Sequence, residues 1–183
     1  MKIGVLAVQG AFIEHEHIIE KIGHEVVEIR QKKDLKGIDG IILPGGESTV
    51  QGQLLRKLDM LDTIKSLITD GLPTLATCAG LILLAGHIDN DDSVHIGTLP
   101  VTVKRNAYGR QLGSFVRTAP MKGFDKFPMT FIRAPYISSI KDNVDVLAAV
   151  DDRIVAVQYN DQIGLAFHPE LSGDTRIHEY FIS

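Results

Sequence analysis

Pro73-Thr74-Leu75-Ala76-Thr77-Cys78-Ala79-Gly80-Leu81 is the stretch on which the reading of this chain turns, and it holds the only cysteine. Its first half suits a short buried strand, and Leu81-Ile82-Leu83-Leu84-Ala85 reads as an apolar helix. A strand that turns sharply into a helix, with a nucleophilic side chain at the corner and small residues around it, is a nucleophile elbow. Ala76-Thr77-Cys78-Ala79-Gly80 is a variant of the G-x-S-x-G pattern, with cysteine at the corner and alanine in the first small position. Small residues suit a crowded corner that a substrate carbonyl must approach. The start of the helix aims free N–H groups at the same point, which favours a thiolate and a developing oxyanion. Alone, the cysteine stays open between a nucleophile and a small buried hydrophobe. A base and an oxyanion hole elsewhere in the chain would decide it.

Upstream, Ile3 to Val8 is a nearly continuous apolar run, as in a strand buried on both faces of a parallel sheet. Phe12, Ile19 and Ile22 share one helical face, and Gly23 stands where a C-terminal cap belongs. Strands are predicted over 25–29 and 40–43, the latter running into Pro44-Gly45-Gly46-Glu47-Ser48-Thr49, where Ser48 or Thr49 is placed to cap the next helix. Leu54, Leu55 and Leu58, then Leu61, Ile64 and Leu67, carry helical spacing up to Gly71-Leu72-Pro73. The alternation predicts an α/β fold, a parallel sheet with helices on both faces. After Gly86 the texture changes. Short strand-like runs at 94–103, 114–119, 129–132, 144–150, 154–159 and 163–167 predict a largely β second half with an antiparallel part, closed by a helix at 175–183. In open α/β sheets ligands sit beyond the carboxyl ends of the strands, so Gln9-Gly10, Pro44 to Ser48 and Cys78 are expected to cluster.

The 183 residues predict one domain, residues 1–183, with 44% hydrophobic and 23% charged residues, near ordinary globular usage. A net charge of −4 with both signs interspersed gives no electrostatic case for nucleic acid or an anionic membrane. One cysteine makes no internal disulfide, the N-terminal apolar run is too short for a signal-peptide core, and no run approaches a membrane span. The expectation is a cytoplasmic protein.

A base for the cysteine should be a histidine, held by a carboxylate on its other nitrogen. Phe167-His168-Pro169-Glu170-Leu171 offers both, because residues i and i+2 of an extended segment face the same side. Pro169 stiffens the segment between them. Taken alone, this motif is also an ordinary surface pairing.

Taken together, the cysteine elbow, the glycine loop after an earlier strand and the His-Pro-Glu near the C-terminus resemble the class I (triad) glutamine amidotransferases. Six segments narrow this further: 4–10 (GVLAVQG), 43–49 (LPGGEST), 77–80 (TCAG), 105–111 (RNAYGRQ), 131–135 (FIRAP) and 168–171 (HPEL) look like the glutaminase subunit of pyridoxal 5′-phosphate synthase. The resemblance covers essentially the whole chain, and the 105–111 and 131–135 segments discriminate, since the triad is common to the superfamily.

The resemblance implies a flavodoxin-like three-layer fold with a mixed, mainly parallel sheet and an antiparallel edge. It implies Cys78, His168 and Glu170 as the catalytic triad. It also implies Gly46, Glu47, Ser48, Arg105, Ile132 and Arg133 as the glutamine pocket. Oxyanion donors are expected from Ala79 and the Pro44-Gly45-Gly46 loop, that is Gly45 and Gly46, since backbone N–H groups stabilise such charge. Arg105 and Arg133 suit the α-carboxylate, which a guanidinium binds in bidentate fashion. No cofactor is implied. The implied partners are L-glutamine and a synthase subunit, in a large hetero-oligomer of twelve copies of each. Glutaminase activity is expected to stay low until the synthase docks. The family usually has glycine where this chain has Ala76, and the added methyl is expected to narrow the approach to the thiol. The chain also ends soon after its terminal helix begins, so a shorter helical tail is expected.

Other motifs lead elsewhere. The 44–49 loop lacks the Gly-Lys-Ser/Thr ending of a phosphate loop. His15 and His17 point to different helical faces, against a metal pair. Asp89-Asn90-Asp91-Asp92 lacks the glycine and the final glutamate of an EF-hand and reads as a solvated turn. Two rival functions stay open on the residues alone. One is the glutaminase partner of imidazole glycerol phosphate synthase, opposed by the 105–110 and 131–135 segments. The other is a non-catalytic protein with a redox-sensing cysteine, in which His168, Glu170 and Arg133 have no purpose.

Overall fold

Runs of consecutive β-branched and aliphatic residues suit strands covered on both faces, and the amino-terminal half uses them that way. The computed structural model of the chain describes residues 1–105 and 113–183. In it β1 (Lys2–Leu6), β2 (Glu25–Ile29), β3 (Gly40–Leu43) and β4 (Thr74–Thr77) alternate with α1 (Ile13–Lys21), α2 (Ser48–Lys57) and α3 (Leu61–Thr69). α4 (Ala79–Leu84) follows β4 with only Cys78 between them. The rest comprises β5 (Ala85–Ile88), β6 (Leu99–Lys104), β7 (Ser114–Met121), β8 (Phe124–Ile132), β9 (Tyr136–Ile140), β10 (Asp145–Val150), β11 (Arg153–Tyr159), β12 (Gln162–Leu165) and α5 (Arg176–Phe181).

The main sheet runs β2-β1-β3-β4-β12-β11-β9-β6-β5, with β10 on β11 off this path. From β2 to β12 every pairing is parallel. Beyond β12 the pairings of β11, β9 and β6 are antiparallel, and β5 joins β6 in parallel. β7 and β8 form a separate antiparallel hairpin. The sequence reading of an α/β fold with a mixed, mainly parallel sheet therefore holds. This order places the site. β1, β3, β4 and β12 are consecutive neighbours running the same way, so Gln9, the 44–48 loop, Cys78 and His168 all emerge at one edge.

Helix ends follow the sequence. Gly23, at φ +87°, closes α1 in a Schellman motif, its N–H donating to Glu20 O and that of His24 to Ile19 O. α2 is capped not by Ser48 or Thr49 but by Glu47, whose Oε2 accepts from Val50 N–H at 3.2 Å. Ser48 is already helical, buried and turned inward.

The second half departs further from expectation. Residues 94–98 are not strand, and β6 begins only at Leu99. The apolar run of α4 stops at Leu84, because Ala85 turns extended to pair with Leu99. Tyr136–Ile140 carries two adjacent serines that break its apolar pattern, so β9 is missed from sequence; its pairing with β6 makes it a strand. The 105–111 motif lies outside the described residues except for Arg105.

An aromatic cluster ties the hairpin to the sheet. The Phe167 ring lies 6.0 Å from Phe127 and 5.8 Å from Phe131, and Phe131 stacks on Phe115 at 4.7 Å. Phe127, Phe131 and Phe167 are fully buried. This cluster delivers Ile132 and Arg133, at the end of β8, to the edge where His168 follows β12.

A Cβ on Gly80 would run into the Leu43 carbonyl oxygen. Gly80→Ala should therefore destabilise the protein by about 1–3 kcal/mol, as overpacking does. Gly113→Ala, where a Cβ meets nothing within 4 Å, should stay within about 0.5 kcal/mol of wild type. Denaturant unfolding compares the two, and equal midpoints would contradict this packing.

Candidate active site

At Cys78 the backbone has φ 51° and ψ −104°, a conformation that costs a non-glycine residue about 1–3 kcal/mol. Its neighbours hold it there. Cys78 N–H donates to Leu165 O of β12 at 2.8 Å, and Cys78 O accepts from Ile82 N–H of α4 at 3.3 Å. The sulfur lies 3.9 Å from Ile132 O, and Cys78, 8% exposed, lines a cavity. The N–H of Ala79, first residue of α4, has no partner within its helix.

His168 N–H donates to Thr130 O of β8 at 2.8 Å. The chain then enters a short 3-10 turn, Pro169–Leu171, with proline at its first position. The turn, not an extended segment, brings Glu170 back to His168, and Oε1 lies 2.6 Å from Nδ1. The pair is buried, the Glu170 carboxylate completely so. With Nδ1 committed to Glu170, Nε2 is the ring nitrogen left for Cys78. Burial alone would lower the His168 pKa. Hydrogen bonds to Cys78 and Glu170, and their negative charge, outweigh it and raise it from 6.5 to about 10.

The cavity in front of the sulfur has a volume of about 460 Å³. Of the residues singled out from sequence, Gly45, Gly46, Glu47, Ser48, Cys78, Ala79, Arg105, Ile132, Arg133 and His168 line it. Glu170 stands behind His168, away from the cavity. Ala11 and Ile82 also line it and were not foreseen. Ala76 does not line it. It is fully buried in the core, so its methyl does not narrow the approach to the thiol as the sequence reading expected.

The glycine loop lies directly against the imidazole, because a Cβ at Gly45 would overlap His168 Cε1. Pro44 has no N–H, so the loop's donors are those of Gly45 and Gly46. The loop is braced from behind: Gln51 Nε2 donates to Gln9 O at 3.1 Å and Pro44 O at 3.2 Å, and Gln9 Oε1 accepts from Glu47 N–H at 2.9 Å. Arg105 Nη1 reaches Thr49 Oγ1 at 3.4 Å and Asp91 Oδ2 at 3.7 Å, while its buried Nε has no partner among the described residues. Asp91, expected in a solvated turn, thus contacts the cavity wall through Arg105. Arg133 holds φ 44°, with its N–H on Gly113 O at 2.6 Å.

A buried polar group behind His168 and Glu170 was also missed. His15 and His178 are fully buried, with His15 Nδ1 2.9 Å from His178 Nε2. His15 Nε2 lies 3.3 Å from Thr77 Oγ1 and 3.4 Å from Glu170 Oε2. His17 is exposed, so the two histidines of α1 do diverge. One signal could have found His15: it sits three residues after Phe12 and four before Ile19, on the stripe that faces the core.

A parallel sheet with a cysteine elbow and a His-Glu pair at its carboxyl edge fits a glutamine amidotransferase, and comparison with known proteins assigns that class. A solved structure described as that of a glutamine amidotransferase superposes with a TM-score of 0.94 at 39% identity, covering 98% of this chain and 96% of that one. The chain belongs to the SNO glutamine amidotransferase family, whose model matches residues 5–183. It is 58% identical over 183 residues to the pyridoxal 5′-phosphate synthase subunit PdxT of Desulfitobacterium hafniense (strain DSM 10664 / DCB-2), covering 100% of this chain and 92% of that protein. It is 52% identical over 186 residues to the subunit of the same name from Streptococcus pneumoniae (strain CGSP14), covering 100% of this chain and 96% of that protein. A PurLQS structure from Thermotoga maritima, at 18% identity and a TM-score of 0.74, shares the fold, covering 99% of this chain and 96% of that one.

Burial lowers the pKa of His178 from 6.5 to about 4, and it lowers that of His15, with help from the charges of His178 and His168. The unfolded chain therefore takes up protons near pH 6.5 that the folded chain refuses. Stability present above pH 6.5 is lost as the pH falls toward 4, by about 3 kcal/mol for His178. Thermal unfolding between pH 7.5 and 5 should show this loss, and His178→Gln should flatten it. An unchanged slope in the variant would contradict the assignment.

Proposed function

We propose that this chain hydrolyses L-glutamine to L-glutamate and ammonia and supplies the ammonia to a pyridoxal 5′-phosphate synthase subunit. The observation that carries the reading is the 58% identity, over the whole chain, to a subunit of that synthase. The cavity supports it with a nucleophile, a base and cations for an amino-acid substrate.

In this mechanism His168, oriented by Glu170, takes the Cys78 proton, and the thiolate attacks the side-chain amide carbonyl of glutamine. The oxyanion is held by the N–H groups of Ala79 and of Gly45 or Gly46, each worth about 3–4 kcal/mol in the transition state. His168 returns its proton to the leaving nitrogen and ammonia departs. His168 then activates water, which adds to the thioester, and glutamate leaves as the thiol reforms. Arg105 and Arg133 hold the α-carboxylate, toward which the Nε of Arg105, without a partner among the described residues, can donate. Glu47, with Ser48 beside it, faces the α-ammonium. Ile132 packs against the substrate's aliphatic stem. Free ammonia is largely protonated at neutral pH and then not nucleophilic, so a sheltered route to the synthase has a chemical rationale. A cytoplasmic location, a complex of twelve subunits of each kind and activation by the docked synthase belong to the same proposal. Among the described residues no helix is long and apolar enough to cross a membrane.

Glutamate release, measured with and without the synthase subunit, tests this. Release should rise when the synthase is present and fall to background in Cys78→Ala. Glu170→Gln should lower kcat by about 10²–10⁴. Arg105→Ala should raise KM about 10- to 100-fold, the scale of a charged hydrogen bond, with a smaller change in kcat. Equal release with and without synthase would refute activation, and release from Cys78→Ala would refute the nucleophile.

A further inference from the structure

Glu170 offers two carboxylate oxygens, and His168 uses one. The other, Oε2, is buried, and among the described residues it has no hydrogen-bond partner at normal range. His15 Nε2 of α1 lies 3.4 Å from it, and both side chains are 0% exposed. A bare carboxylate oxygen in such a place is costly, so the tautomer of His15 matters.

Two tautomers are open to the pair of neutral rings. With the proton on His15 Nδ1, it donates to His178 Nε2, and His178 then carries its own proton on Nδ1. That nitrogen is buried and has no partner among the described residues. The His15 Nε2 lone pair would meanwhile face the carboxylate. This arrangement leaves a buried N–H unpaired and a buried oxygen repelled. With the proton on His15 Nε2, shared between Glu170 Oε2 and Thr77 Oγ1, His178 Nε2–H donates to His15 Nδ1 at 2.9 Å. Only the acceptor at His178 Nδ1 then goes unpaired, the smaller defect.

We propose that His15 is a positioning residue for the catalytic carboxylate: held by His178 as the Nε2–H tautomer, it donates to Glu170 Oε2 and so fixes the face that Glu170 turns to His168. The roles rest on the triad reading above. His15 does not touch the cavity. It acts from behind Glu170, on an element, α1, that packs against the 169–171 turn. The function is that of an outer partner which orients the group that orients the base, whose loss costs about 10- to 100-fold in activity.

The first test reads the tautomer without reading activity. In ¹⁵N-imidazole NMR spectra of the subunit at pH 7, His15 should show a protonated Nε2 and an unprotonated Nδ1, and Glu170→Ala should shift the Nε2–H signal. A protonated Nδ1, or an Nε2–H signal indifferent to Glu170→Ala, would overturn the proposal. The second test uses the synthase-bound enzyme. The amide nitrogen of Gln reaches where His Nε2 lies, and that of Asn where Nδ1 lies. His15→Gln should therefore retain kcat within about threefold, whereas His15→Asn and His15→Leu should lose about 10- to 100-fold with little change in KM. A merely structural role would not separate Gln from Asn in kcat. Full kcat in His15→Leu, with Glu170→Ala inactive, would sink the proposal and spare the triad. Full activity in both would sink the triad reading and the proposal with it.

Discussion

The strained corner at Cys78 is the constraint on which the rest of the site depends. A non-glycine residue does not hold φ 51° with ψ −104° unless its surroundings fix both flanking elements. Here the preceding strand is locked between β3 and β12, and the following helix is pressed onto the end of β3 at Gly80, with no room for a side chain. The same contacts bring the loop after β3 against His168. The elbow thus does more than display a sulfur. The packing that holds the strain also sets how Cys78, His168 and the N–H groups of Ala79, Gly45 and Gly46 sit relative to one another.

Behind this edge lies a second, drier layer. Glu170 is wholly buried and flanked by His168 on one side and His15 on the other. His178 comes from α5, so that helix is joined to Glu170 through two neutral imidazoles. Buried polar groups of this kind destabilise a fold unless they are satisfied together, and they then specify one arrangement. This layer couples acid sensitivity to site geometry.

The first half of the chain was legible because each local signal agreed with the tertiary outcome. The 3–8 run, the Gly23 cap and the small residues at 76–80 all point to one parallel sheet and one corner. The second half was less legible because its strands are defined by partners rather than by pattern. β9 is a strand through its pairing with β6, and Ala85 leaves the helix to meet Leu99. At the site, residues in local motifs could be read directly. His168 and Glu170 were paired correctly but through the wrong geometry, a 3-10 turn in place of an extended segment. His15, Thr77 and His178 come together across 163 residues of sequence, a separation that no local reading spans.

The central claim is that Cys78 attacks the side-chain carbonyl of glutamine. Its most direct measurement is mass spectrometry of the synthase-bound subunit after incubation with the glutamine-analogue electrophile diazo-oxo-norleucine. The account predicts one covalent adduct, on Cys78, whose formation excess glutamine suppresses. An unmodified Cys78, or an adduct that forms equally fast in excess glutamine, would contradict it.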